Sequence, residues 1–251
     1  MELLWQPDWQ LPPGVKAFIT TSMLDLRRSS DQIQLQEHLR DCIGHPVDLV
    51  FLKQQHTNRV YASTDKSHHV KAESIIADAI ITAHFYEAAI VRTADCVPVL
   101  FCTEDGDQVA AVHAGWKGLA NGILKQSIEA FDQEASKLLA FIGPCICVQH
   151  YEVTNDFKQQ FLALHQSHFS QLDIESHFYD GKDSEHQYCD LVAIAQTQLQ
   201  SLGLFSNNIC DSGICTFEDQ KFFSYRKEQQ EAGRFASLIF KTHSRTDHEL
   251  L

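Results

Sequence analysis

An α/β (α+β) fold built on a mixed sheet flanked by helices is what the sequence predicts, on three observations. Apolar runs of strand length alternate with segments of helical periodicity. The runs at 88–92 and 97–102 lie too close together for a helical crossover, so the pairing must be at least partly antiparallel or mixed. With 44% hydrophobic and 21% charged residues in 251, the chain can bury a sizeable core and is not a disordered one.

Taken in order, apolar runs bounded by turn residues predict strands at 47–53, 75–82, 88–92, 97–102, 108–113, 138–142, 222–225 and 234–240. Helices fill the gaps. From Asp31 to Ile43, Leu35, Leu39, Cys42 and Ile43 recur at helical spacing, and Gly118 to Phe131 and Thr154 to His165 do the same. Asp190 to Leu202 adds a helix capped by Asp190 and stopped at Gly203. The polar stretch Ser176 to Gln187 reads as an excursion within one domain. No internal repeat or linker divides the chain, so residues 1–241 form a single domain and the polar tail 242–251 is frayed.

Twenty Lys and Arg stand against 33 Asp and Glu, a net charge of −13 that repels phosphate backbones and anionic membranes. Neither nucleic acid nor membrane is an expected partner. Met1 to Lys16 lacks the basic and apolar regions of a leader, and no apolar run is long enough to span a bilayer, so the expected location is cytoplasmic. The eight Cys form no CxxC pair and no regular framework, which reads as buried reduced thiols. Cys145 and Cys147 fall among these core thiols, because two thiolates alone rarely hold zinc. His68, His69, His165 and His168 read as surface histidines.

Three potential ligands fall at predicted strand ends. His56 follows the run from Val47, Cys96 sits between two apolar runs, and His113 closes the run from Val109. Such spacing is too long for a local knuckle but natural for a site assembled by a sheet. Three ligands leave a fourth position open, the mark of a catalytic zinc that can activate water or polarise a substrate atom. Beyond His113, Gly115 to Gly118 lead from strand into helix, where free N–H groups favour an anion.

Lys117, Arg92 and Arg226 add cations in an acidic chain and are candidate phosphate ligands; Arg226 follows an aromatic run and is the preferred one. Lys227 and Arg234 read equally well as surface cations paired with carboxylates. Asp78 and Asp95 lie beside apolar strand residues, where a charge needs a partner. Asp78 would hold substrate or a positive side chain and Asp95 would orient a metal ligand, unless both belong to structural ion pairs.

Asp95-Cys96-Val97-Pro98 and His113-Ala114-Gly115-Trp116-Lys117-Gly118 resemble the signatures of the bacterial laccase-domain family, purine nucleoside phosphorylases once described as polyphenol oxidases. The resemblance runs in order from Gln54-Gln55-His56 through Asp78-Ala79-Ile80-Ile81-Thr82, Ile142-Gly143-Pro144-Cys145 and Tyr151-Glu152-Val153. It continues to Cys215-Thr216, Phe223-Ser224-Tyr225-Arg226 and Gly233-Arg234. It implies a catalytic zinc on His56, Cys96 and His113. Thr57 stands where the family usually has Gly, and Lys117 where Arg is common; Lys117 lacks the bidentate fork.

The implied activity is phosphorolysis of adenosine, inosine, guanosine or methylthioadenosine, with adenosine deamination as a second activity of some members. Purine nucleosides and phosphate are then the small-molecule partners. A copper polyphenol oxidase is the older alternative; repeated His-x-His pairs are missing, although Cu2+ at the same three residues fits the donor set. The family fold also resembles cysteine hydrolases of the cytotoxic necrotizing factor type. On that reading Cys96 is a nucleophile with His113 as base, acting on peptidoglycan precursors. The oligomeric state is left open by the sequence.

Overall fold

The computed structural model describes residues 2–63, 75–169 and 174–243. Strands run in chain order as β1 (Leu4–Trp5), β2 (Val15–Thr20), β3 (Asp48–Val50), β4 (Val60–Ser63) and β5 (Ala79–Thr82). Then come β6 (Glu87–Thr93), β7 (Val97–Thr103), β8 (Val109–Ala114), β9 (Leu138–Ile142) and β10 (Glu152–Thr154). The last four are β11 (Phe178–Asp180), β12 (His186–Cys189), β13 (Ile209–Asp211) and β14 (Phe235–Lys241). Helices are α1 (Ser29–Ile43), α2 (Trp116–Ala120), α3 (Ile123–Glu129), α4 (Asn155–His168), α5 (Leu191–Ser201) and α6 (Tyr225–Glu228).

The class is the expected one, but the strands form more than a single sheet. A five-stranded sheet runs β1-β2-β14-β6-β3 and a six-stranded one β13-β9-β7-β8-β5-β4, with β10-β12-β11 as a small third. Both large sheets are mixed: their centres pair antiparallel, while β3 on β6, β4 on β5 and β13 on β9 pair parallel. They face each other. Ala17, Ile19, Val91 and Ile239 from one sheet share a core with Leu100, Ala111 and Phe141 from the other.

Helices cover the outer faces. Leu35 and Leu39 of α1 pack on Ile90, Leu238 and Phe240, and α2 to α5 cover Val99, Phe101, Val112 and Ala140. The result is four layers, helix, sheet, sheet and helix. Strands covered on both faces need apolar residues throughout, which is why β7 and β8 read as continuous apolar runs.

Several elements differ from expectation. The sheets are mixed as expected, but the runs 88–92 and 97–102 do not share one: β6 belongs to the five-stranded sheet and β7 to the six-stranded one, and the short link between them crosses the sandwich. Residues 222–225 form no strand; the aromatic run bends into α6, whose cap Ser224 accepts a hydrogen bond from the Lys227 N–H. The expected helix 118–131 divides into α2 and α3 because Gly122 adopts a φ of 77°, a left-handed conformation that ends a helix. The strands expected at 47–53 and 75–82 shorten to β3 and β5.

His165 is no surface residue. It is buried on α4 between the rings of Phe161 and Phe169. At the start of the expected frayed tail, Thr242 bonds Gly14 through its N–H and hydroxyl, and His243 stacks on Phe85. The remainder, 244–251, and His68 and His69 lie outside the described residues. No helix among the described residues is long and apolar enough to cross a membrane.

Candidate metal centre and active site

Three separate pieces of backbone deliver His56, Cys96 and His113 to one end of the sandwich. His113 lies on β8 with the parity of Val109 and Ala111, so it points toward the opposing sheet. Cys96 lies on the β6–β7 link, and His56 on the loop after β3. Their ligand atoms all fall within 4.8 Å of one another, with His56 Nε2 3.7 Å from Cys96 Sγ.

Two backbone conformations make this convergence. His56 and Asp95 adopt φ values of 58° and 83°, unfavourable for residues with a side chain and held here by surrounding contacts. Gly115 supplies the third requirement: a Cβ there would stand 2.8 Å from the His56 ring and 3.1 Å from Cys96 Sγ. Only glycine lets β8 run into α2 so close to the ligands.

Asp78 is the hub. Fully buried, it accepts hydrogen bonds from the N–H groups of Gln55, His56 and Thr57, from Thr57 Oγ1 at 2.6 Å and from His113 Nδ1 at 2.8 Å. One carboxylate thus fixes both the His56 loop and the His113 ring. Both oxygens of Asp78 are thus engaged by the His56 loop and by His113. Thr57, the departure from Gly, adds a hydroxyl to this carboxylate. Gln54 ties the same loop to β6 by exchanging two hydrogen bonds with the Arg92 backbone.

The electrostatics follow from this geometry. Burial opposes charge on Asp78, but hydrogen bonds from His113 and Thr57 outweigh it and hold the carboxyl down at about 2. Burial also opposes a charged His113, yet Cys96 and Asp78 raise it to about 9. At Cys96, burial is outweighed by the charge and hydrogen bonds of His113 and His56, which bring the thiol down to about 6. Without an ion the site favours a thiolate beside an imidazolium.

Two lobes of one cleft meet at a shared wall of His56, Ala94, Cys96 and Tyr225. On one side a cavity of about 540 Å³ is lined by Arg27, Lys53, Arg92 and Arg234. On the other, about 290 Å³ is lined by Trp116, Tyr151, Tyr225 and Arg226. Arg92 therefore faces the cationic lobe, with its guanidinium also bonded to the carbonyls of Leu26 and Leu52. Arg226 lies on the aromatic side, over the Tyr151 ring, and donates to the carbonyls of His150 and Glu152.

Lys117 is exposed on α2 with its ammonium over Trp116, outside both lobes. Since α2 spans five residues, its N-terminus offers little dipole to an anion. Asp95 holds the α6 turn rather than a ligand, accepting from the Arg226 N–H and the Thr216 hydroxyl. Sequence reasoning missed Arg27, Lys53, Tyr225 and the cleft position of Arg234; aromatic and basic residues within the Phe223 to Arg234 segments were the available signal.

Comparison with known proteins agrees with this architecture. A family model described as multi-copper polyphenol oxidoreductase laccase matches residues 29–242. The chain is 31% identical over 250 residues to a purine nucleoside phosphorylase of Haemophilus influenzae, covering 93% of this chain and 97% of that one. It is 30% identical over 256 residues to the purine nucleoside phosphorylase YfiH of Escherichia coli K12, covering 96% and 99%. Among solved structures, a Neisseria meningitidis protein superposes with a TM-score of 0.80 at 28% identity, covering 96% of this chain and all of that one. By sequence and by fold, the chain belongs to the multi-copper polyphenol oxidoreductase laccase family.

Proposed function

We propose that the chain is a zinc-dependent purine nucleoside phosphorylase. It would convert adenosine, inosine, guanosine or methylthioadenosine and phosphate into free base and pentose 1-phosphate, with adenosine deamination as a second activity. The observation that carries this reading is the division of the cleft at Cys96 into a cationic and an aromatic lobe. Phosphate fits the first, where Arg92 and Arg234 concentrate positive charge in a chain of net charge −13. A purine fits the second, stacked among Trp116, Tyr151 and Tyr225. The glycosidic bond then lies between them, where the two lobes meet.

His56, Cys96 and His113 fit zinc: one thiolate and two imidazoles, borderline-soft donors gathered at distances a tetrahedral ion can bridge. Asp78 holds His113 in the tautomer that leaves Nε2 facing the other donors. Bound there, zinc would supply a Lewis acid beside the substrate. Copper is the competing ion for the same donors. The expected setting is the cytoplasm, with purine nucleosides and phosphate as the small-molecule partners.

The test is product identity by mass after incubating metal-quantified protein with each nucleoside, with and without phosphate. Pentose 1-phosphate formed only with phosphate supports the reading; free pentose formed equally well without it would show a hydrolase. The second reading, a Cys96–His113 amide hydrolase acting on peptidoglycan precursors, is favoured by the thiol brought down to about 6. Stoichiometric zinc on Cys96 in the active protein would remove that nucleophile and the reading with it.

A further inference from the structure

A second group of donors shares no residue with the first. Cys147, His150, Cys215 and Glu218 bring their ligand atoms within 4.8 Å of one another. Two tight turns present them. His150 closes the 3₁₀ turn Val148–His150 that follows Cys147, and the Glu218 N–H bonds the Cys215 carbonyl at 3.2 Å. Each turn therefore offers a thiol and, three residues on, a second donor on the same side.

The two turns are already registered. Cys145 and Cys215 form a parallel bridge, with the Cys145 N–H on the Ile214 carbonyl and the Thr216 N–H on that of Cys145. The Cys147 N–H points at Cys215 Sγ from 3.3 Å, the kind of outer contact that supports a metal-bound thiolate. The His150 ring stacks on Phe217 at 4.2 Å, and its Nε2 lies 2.9 Å from Glu218 Oε1. Ring and carboxylate are thus oriented before any ion arrives.

We propose that Cys147, His150, Cys215 and Glu218 form a second, structural site for a zinc-class divalent ion, clipping the 143–151 loop to the 212–219 loop. Two thiolates, an imidazole and a carboxylate complete a tetrahedral shell from protein alone, which distinguishes a closed structural site from the three-donor centre. Magnesium and calcium demand oxygen ligands, so the thiolates select against them. Binding releases the two thiol protons as two sulfur–metal bonds form. The clip joins residues 68 apart in sequence. Through Thr216 on Asp95, and through the His150 and Glu152 carbonyls on Arg226, it braces the wall of the aromatic lobe.

The experiment counts zinc per chain in full-length protein purified under reducing conditions, loaded with zinc and freed of excess. Two equivalents are expected in the wild type, one in Cys147→Ser/Glu218→Ala and one in His56→Ala/His113→Ala. Glu218 is exposed, so Glu218→Ala alone keeps the fold and should weaken one of the two ions by about tenfold or more in a chelator competition. Cobalt in the His56→Ala/His113→Ala protein should give thiolate-to-metal charge transfer that falls to about half with Cys147→Ser, one thiolate of two being removed. A single equivalent in the wild type that is kept in Cys147→Ser/Glu218→Ala and lost in His56→Ala/His113→Ala would overturn the proposal, as would metal content unmoved by Cys147→Ser/Glu218→Ala; a single equivalent with the opposite pattern would instead remove the zinc of the proposed function and leave this site standing. A Cys147–Cys215 disulfide in protein isolated without oxidant, read as a mass lower by two hydrogens, would also overturn the proposal.

Discussion

At Asp78 a single carboxylate sets the position of two proposed ligands, and its charge is what His113 feels most directly after Cys96. Asp78→Asn keeps the shape but gives up the negative charge behind His113. The expected outcome is a loss of about 10–100-fold in zinc affinity by chelator competition, with His56, Cys96 and His113 unchanged. Unaltered affinity would detach Asp78 from the metal centre. The arginines differ in a testable way as well. Arg92→Ala and Arg234→Ala should raise the phosphate concentration needed for half-maximal rate, by about 1.5–3 kcal/mol of lost charge-assisted contact. Arg226→Ala should instead weaken the nucleoside, because its guanidinium lies over Tyr151 in the aromatic lobe. Initial rates against each substrate separate the two effects. The convergence of His56, Cys96 and His113 was legible because each stands in a motif that follows, separates or closes apolar runs. The direction of Arg226 was not, since it depends on residues 222–225 bending into α6 rather than continuing as a strand.

Helix ends were legible where a short polar cap precedes the apolar period. Asp190 accepts from the Ala193 N–H at 2.9 Å and Thr154 from that of Phe157 at 3.2 Å, starting α5 and α4. Asp190→Ala should cost about 1 kcal/mol, measured as a lower urea midpoint with an unchanged slope. The interior of α4 was misread because a polar residue on an amphipathic helix gives no sign of which neighbours will cover it. Burial, with nearby His168 adding to it, holds His165 down at about 4, and its Nε2 has no hydrogen-bond partner among the described residues. The sign follows: the unfolded chain binds this proton below its ordinary value of about 6.5 while the folded one refuses it until about 4. The stability due to a neutral His165 is therefore complete above about pH 6.5 and lost as pH falls through that window. His165→Phe should match or exceed wild-type stability at pH 7.5 and flatten the loss between pH 6.5 and 4. Parallel pH curves for the two proteins would refute the assignment.

For the whole molecule, composition and periodicity gave the class but not the number of layers. An apolar run such as Val97 to Cys102 says that both faces of a strand are covered, and it cannot say whether by helices or by another sheet. Here one face of β7 meets helices through Val99 and Phe101, and the other meets the second sheet through Leu100. Phe101, fully buried and edge-on to Phe131 at 6.1 Å, anchors the helix-facing core. Phe101→Ala should lower unfolding free energy by about 3–5 kcal/mol in urea titration.

The link from β6 to β7 carries Cys96 across the sandwich while His113 rides on the six-stranded sheet and the His56 loop is tied by Gln54 to the five-stranded one. The three vertices of the donor triangle thus hang from the two slabs and from the strap between them, and its edges measure how the slabs sit on one another. A reactive centre tolerates misplacement of about 0.5 Å. Sliding of the sheets beyond that tolerance sets the Gln54 bonds on the His56 loop against those of Asp78 and opens the triangle. The side chains packed between the sheets, Leu100 and Phe141 from one and Val91 and Ile239 from the other, therefore act as calipers on the candidate metal centre. Trimming them should quicken the escape of the ion before it unfolds the chain.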